Sequence, residues 1–109
     1  FETSNPRHAH EWTVFRDRKA EIPDDKVLVP GVVDTTSNFV EHPDVVAQRL
    51  ERFTDIVGSD RGVAGSECGF GTFAGFGAVD PESAYAKLGA LSEGAKIASC
   101  ACRLYFCRA

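Results

Sequence analysis

The 109-residue chain has no methionine, a single tryptophan and two tyrosines, and no apolar run near the roughly 18 residues that a bilayer-crossing helix requires. A helical membrane span is therefore not expected. Positive charge is also in short supply: 12 Lys and Arg stand against 16 Asp and Glu, for a formal net charge of -4. The basic residues are scattered and form no stripe, which argues against an electrostatic grip on nucleic acid. The four cysteines are unevenly placed, with Cys68 alone and Cys100, Cys102 and Cys107 crowded near the end. That spacing does not suit a disulfide framework and points to a reducing, cytoplasmic setting. With no Met, and Phe1 in place of a start residue, the chain is expected to be a portion of a longer protein. What remains is the balance of one folded domain, 43% hydrophobic and 26% charged.

Periodicity supplies the element order. Residues 26–34 (KVLVPGVVD) form a nearly unbroken β-branched run, the pattern of a strand buried on both faces of a parallel sheet. Pro30 interrupts it and cannot donate a ladder hydrogen bond, so a distorted strand is expected. A polar turn follows, and Pro43 falls at a first helical position, with Glu41 and Asp44 near the positive end of the helix dipole. Val46, Leu50, Phe53 and Val57 then make one apolar stripe that Gly58 ends with a left-handed stop. The same order repeats. Arg61 to Ser66 reads as a short strand, Cys68 to Gly77 as a glycine-rich turn, and Asp80-Pro81 opens a second helix with Ala84, Leu88, Leu91, Ala95 and Ala98 on its buried face. At the start, residues 1–4 read as a strand end and residues 8–15 as a short helix or turn.

Three βα units in series imply an α/β fold with a parallel sheet, either doubly wound or part of a (β/α) barrel. Two good helices cover only one sheet face, whereas VLVPGVV asks for two. The remaining face and the open strand edges call for upstream strands of a larger barrel or for self-association.

In parallel α/β architectures functional groups gather at the carboxyl ends of the strands. Three polar clusters lie there: Glu2, Thr3, Ser4 and Asn5; Asp34, Thr35, Thr36, Ser37 and Asn38; and Glu67, Cys68 and Gly69. Turn and capping chemistry accounts for many of these residues, Ser37 and Asn38 above all. Cys68 stands apart as a thiol at a strand end beside Gly69, Gly71 and Gly75, where the backbone can approach a ligand. Asp34 suits either hydrogen bonding near such a ligand or rim structure. His8 and His10 are expected to be solvated or to stand behind a site without ligating. Trp12 and Phe70 could line a flat ligand, although aromatic residues are more often core.

The string SECGFGTFAGFGAVDPESAYAKLGALSEGA, residues 66–95, resembles the last strand, loop and helix of the cobalamin-independent methionine synthase family. Residues 26–57 resemble the unit before it, and FETSNPRHAHEW, residues 1–12, the strand before that. The resemblance covers residues 1–99 and is strongest to single-barrel relatives similar to epoxyalkane:coenzyme M transferase. It implies the last three βα units of a TIM (β/α)8 barrel, followed at residues 100–109 by an atypical Cys-rich tail. It also implies a zinc ion held by a His and a Cys on one strand, a Glu on a later strand and a Cys on the last. Cys68 and Glu2 match the last two of these, and the His and Cys pair has no counterpart in this chain. Ser4 and Asp34 are then candidates for substrate binding. The implied chemistry is zinc-dependent activation of a small-molecule thiol as a thiolate, for methyl transfer from a methyltetrahydropteroyl-polyglutamate donor in methionine biosynthesis, or for epoxide opening in the coenzyme M relatives. No protein acid–base pair is required.

Overall fold

A computed structural model describes residues 1–73, 76–77 and 79–106. Its order is α1 (Trp12–Asp17), a 3-10 turn (Lys19–Glu21), β1 (Gly31–Val33), α2 (Pro43–Val57), β2 (Gly65–Ser66), β3 (Gly71–Phe73), β4 (Phe76–Gly77) and α3 (Pro81–Phe106). β1 and β2 pair in parallel. Parallel bridges from Glu2 to Gly31 and from Leu28 to Gly62 extend this pairing to both sides and upstream. Three extended segments thus lie side by side in chain order, an α/β arrangement.

The long run at residues 26–34 forms two short stretches of ladder, and Pro30 explains the division. Gly65 donates to the Pro30 carbonyl at 3.0 Å, but the proline ring nitrogen has no hydrogen to return. Burial along this run rises toward its carboxyl end. Pro30 and Val32 are buried, whereas Val27, Val29 and, on the neighbouring segment, Val63 are 52%, 45% and 50% exposed. Pro30, Gly31, Val32 and Val33 are all buried, so the burial on both faces expected from the sequence is realised at β1, while the upstream part of the run leaves Val27 and Val29 half-exposed.

The core joins Val32 and Val33 of β1 to Val46, Ala47 and Leu50 of α2 and Ala98 of α3. α2 begins and ends where the sequence indicates. His42 caps it by accepting from the Asp44 N–H at 3.1 Å, Pro43 occupies the first turn, and Gly58 ends it at φ +97°. Its buried stripe closes on Ile56, since Val57 lies half-buried at the end of the helix. α1 docks through Phe15, which stacks on Phe1 with centroids 4.9 Å apart and meets Phe53 edge-on at 5.6 Å.

α3 keeps most of the expected stripe, with Ala98 buried and Leu91 and Ala95 packed against the core, and departs from it at Leu88. Leu88 is 42% exposed, and the side turned inward carries Lys87, Ala90, Gly94 and Ala98. The small residues explain the choice. A Cβ on Gly94 would overlap the Val46 side chain and come within 2.8 Å of the Pro43 carbonyl oxygen, so α2 and α3 approach at a point that no larger side chain could occupy. The helix runs without a break past residue 99, making residues 100–106 its continuation. β3 and β4 pair antiparallel where the sequence suggested only a glycine-rich turn. Gly75 and Cys107 lie outside the described residues.

Candidate metal centre

Because the three extended segments run in parallel, their carboxyl ends emerge at one edge. Glu2 and Ser4 leave the first, Asp34 and Thr35 the second, and Glu67 and Cys68 the third. Gly31 sits at the centre. Its carbonyl oxygen accepts from the Thr3 and Ser4 hydroxyls, each at 2.7 Å. A Cβ there would lie 2.7 Å from Glu67 Cα, so the absence of a side chain lets the third segment cross closely. Glu67 then accepts two backbone hydrogen bonds through Oε1, from Ser4 N at 2.8 Å and Asn5 N at 2.6 Å. These bonds fix the chain after Glu2 beside the chain before Cys68.

The result is a close contact between residues 66 apart in sequence: the Cys68 thiol points at Glu2 Oε1, with Sγ 3.7 Å away. A cleft of about 310 Å³ opens beside them, lined by Glu2, Thr35, Thr36, Cys68, Gly69, Phe70 and Gly71. Cys68 is a free, exposed thiol. On the other side of Glu2, His8 Nε2 lies 3.4 Å from Oε2, while His8 Nδ1 meets Glu11 Oε1 at 3.0 Å. The hydrogen bond to Glu11 raises the His8 pKa, desolvation opposes the rise, and the negative fields of Glu11, Glu2 and Glu67 add to it.

The donor set fits zinc. Bond lengths of about 2.3 Å to sulfur and about 2.1 Å to carboxylate oxygen, at a tetrahedral angle, put the two ligand atoms about 3.6 Å apart. The 3.7 Å between Cys68 and Glu2, spanned here by a thiol-to-carboxylate hydrogen bond, is close to that separation. Among the described residues no group of three or more His, Cys, Asp and Glu side chains converges into a complete metal cage. The pair offers two donors.

The other candidates are placed as follows. Ser4 is buried, with its hydroxyl committed to Gly31, and it is not among the residues lining the cleft. Asp34 stands behind the cleft wall and accepts from Thr36 through both its N–H at 3.0 Å and its hydroxyl at 2.8 Å. Partial burial pushes the Asp34 carboxyl up, but the hydrogen bonds from Thr36 and Ser37 and the charge of Lys87 outweigh this and hold it below the usual carboxylate range. Phe70 lines the cleft. Trp12 does not, and the Arg16 and Arg52 guanidinium carbons lie 5.0 and 5.5 Å from its ring centroid. His10 is exposed, and so is Cys100, which is a free thiol.

Sequence reasoning missed Lys87. Its side chain is fully buried and its Nζ contacts both oxygens of Glu41, at 3.0 and 3.1 Å. Glu41 Oε1 also accepts from the Asp34 backbone N–H at 2.9 Å. Glu41 is therefore less a partner of the α2 dipole than the centre of a knot joining α3 to the end of β1. The available signal was a lysine in register with Ala90, Gly94 and Ala98.

Comparison with known proteins gives no matching family model, no similar curated protein and no similar solved structure.

Proposed function

We propose that this chain is the C-terminal part of a zinc-dependent (β/α)8 barrel of the cobalamin-independent methionine synthase type, and that Cys68 and Glu2 supply two of the four ligands of its metal. The observation that carries the reading is the 3.7 Å approach of Sγ and Oε1 at the carboxyl edge of three parallel segments in chain order. It is supported by the resemblance of residues 1–99 to that family and by the half-exposed Val27, Val29 and Val63, a β-branched face of the kind that further strands would cover.

When bound, zinc lowers the pKa of a substrate thiol and so supplies a thiolate at neutral pH. The substrate sulfur loses its proton and forms a bond to an alkyl carbon. In methyl transfer the C–N bond to the pteridine carrier breaks and the nitrogen takes up a proton, whereas in epoxide opening the C–O bond breaks and the oxygen does so. Cys68 and Glu2 hold and orient the metal. Thr35, Thr36 and Phe70 offer hydroxyls and an aromatic surface to the substrate, and Asp34 holds Thr36 in place. A reducing, cytoplasmic compartment suits the free thiols of Cys68 and Cys100.

The test is metal content and Co²⁺ absorption of the purified chain. A thiolate-to-cobalt charge-transfer band that disappears in Cys68→Ser and binding that weakens in Glu2→Gln are expected. Unchanged metal affinity in Cys68→Ser overturns the assignment. The same valine face favours a second, non-catalytic reading, in which copies of the chain associate through it and the adjoining strand edges. A concentration-dependent oligomer without bound metal in sedimentation supports that alternative.

A further inference from the structure

The string of contacts around Glu2 continues beyond the two candidate ligands. Residues 5–11 form a turn closed by backbone bonds from His8 N and Ala9 N to Asn5 O, both 2.9 Å, and from Glu11 N to His8 O at 2.9 Å. Asn5 N is in turn anchored on Glu67, so this turn and the loop bearing Cys68 share one foundation. From it the His8 ring reaches back over the first segment. Glu11 Oε1 holds one ring nitrogen at 3.0 Å and Glu2 Oε2 stands 3.4 Å from the other, while the opposite oxygen of Glu2 faces Cys68.

We propose that His8 is a positioning residue for the Glu2 carboxylate, holding Oε2 so that Oε1 stays turned toward Cys68 and the cleft. This rests on the metal reading above and adds to it a residue that touches neither metal nor substrate. An exposed glutamate otherwise samples many rotamers, and fixing it costs conformational entropy that a preformed contact removes before the ligand arrives. Glu11 has the same relation to His8, since a carboxylate on the far nitrogen sets the ring plane. The side chains involved are 38% to 49% exposed, so their removal leaves the core untouched.

The experiment titrates the full 109-residue chain with Co²⁺ and follows the thiolate-to-cobalt band, with far-ultraviolet circular dichroism to confirm folding. His8→Ala is expected to raise the half-saturating Co²⁺ concentration by about tenfold, the low end of what partners behind metal ligands contribute, while leaving the band in place. His8→Gln, whose side-chain amide can donate to the Glu2 carboxylate, is expected to recover most of the loss. In a Glu2→Gln background, His8→Ala is expected to cost nothing further. Affinity in His8→Ala equal to wild type, or a further loss on top of Glu2→Gln, overturns the positioning role while the losses in Cys68→Ser and Glu2→Gln keep the metal reading intact. A wild-type chain without the band overturns both.

Discussion

Two polar clusters sit at the same edge of the sheet and differ in their relation to water. In the first, Lys87, Glu41 and the Asp34 N–H satisfy one another inside the protein, with Lys87 fully buried and no unpartnered buried polar side-chain atom among the described residues. In the second, Glu11, His8, Glu2 and Cys68 form a string along a cleft and remain partly exposed. A closed cluster has its donors and acceptors occupied and serves the fold. An open one keeps its thiol and carboxylate atoms facing space that a ligand can enter. Removing a member of the first should therefore cost stability, and removing a member of the second should cost binding.

The sharpest way to break this comparison is Lys87→Met. It leaves the Glu41 carboxylate buried without its counter-charge, and a loss of about 3–5 kcal/mol is expected in urea unfolding. A loss below about 1 kcal/mol would place the pair in the same class as surface ion pairs. Next in size is Gly31→Ala, which forces the Cβ against Glu67 Cα and should cost about 1–3 kcal/mol by overpacking while also moving Glu67 away from Ser4 and Asn5. Both stability and Co²⁺ binding should fall, since Gly31 joins the segments that carry Glu2 and Cys68 through Thr3, Ser4 and Glu67. Glu67→Ala is expected to cost about 1–3 kcal/mol by leaving two part-buried N–H groups without their acceptor, and to loosen the Glu2 to Cys68 contact.

A smaller effect is expected at Asp34, the joint between the clusters. Its folded-state pKa is depressed, so its contribution to stability is present above the ordinary carboxylate pKa of about 3.9 and is lost as pH falls through the lower folded value. Asp34→Asn should flatten that acidic limb of the stability profile, and an unchanged limb would show that Thr36 does not favour the charged form. The smallest effect on stability belongs to Cys68→Ser and Glu2→Gln, each within about 0.5 kcal/mol of wild type, although both should weaken Co²⁺ binding. Thermal unfolding beside the Co²⁺ titration separates the two quantities.

Much of the scaffold was legible because it depends on local rules. Pro43, the stripe from Val46 to Phe53 and Gly58 mark α2 at both ends, and Asp80-Pro81 marks the start of α3. The approach of Glu2 to Cys68 was foreseen from the resemblance and from the convergence of parallel strand ends. Less was legible where the answer depends on a neighbour. Which side of α3 faces inward was set by Val46 and Pro43 pressing against Gly94, and that choice buried Lys87 in place of the more apolar Leu88. The partners of His8 depend on a turn anchored through Glu67, more than 50 residues away in sequence.

The sequence by itself determined both ends of α2, the start of α3, the α/β order and the two residues to examine first, because caps, apolar stripes and chain direction act over a few residues at a time. Only the tertiary structure decided that Val27, Val29 and Val63 stay half-exposed while Val33 is buried, that Lys87 is sealed against Glu41, and that Sγ and Oε1 face each other at 3.7 Å. Burial, charge pairing and the spacing of side-chain atoms are set by groups brought together from distant parts of the chain, and no local pattern specifies them.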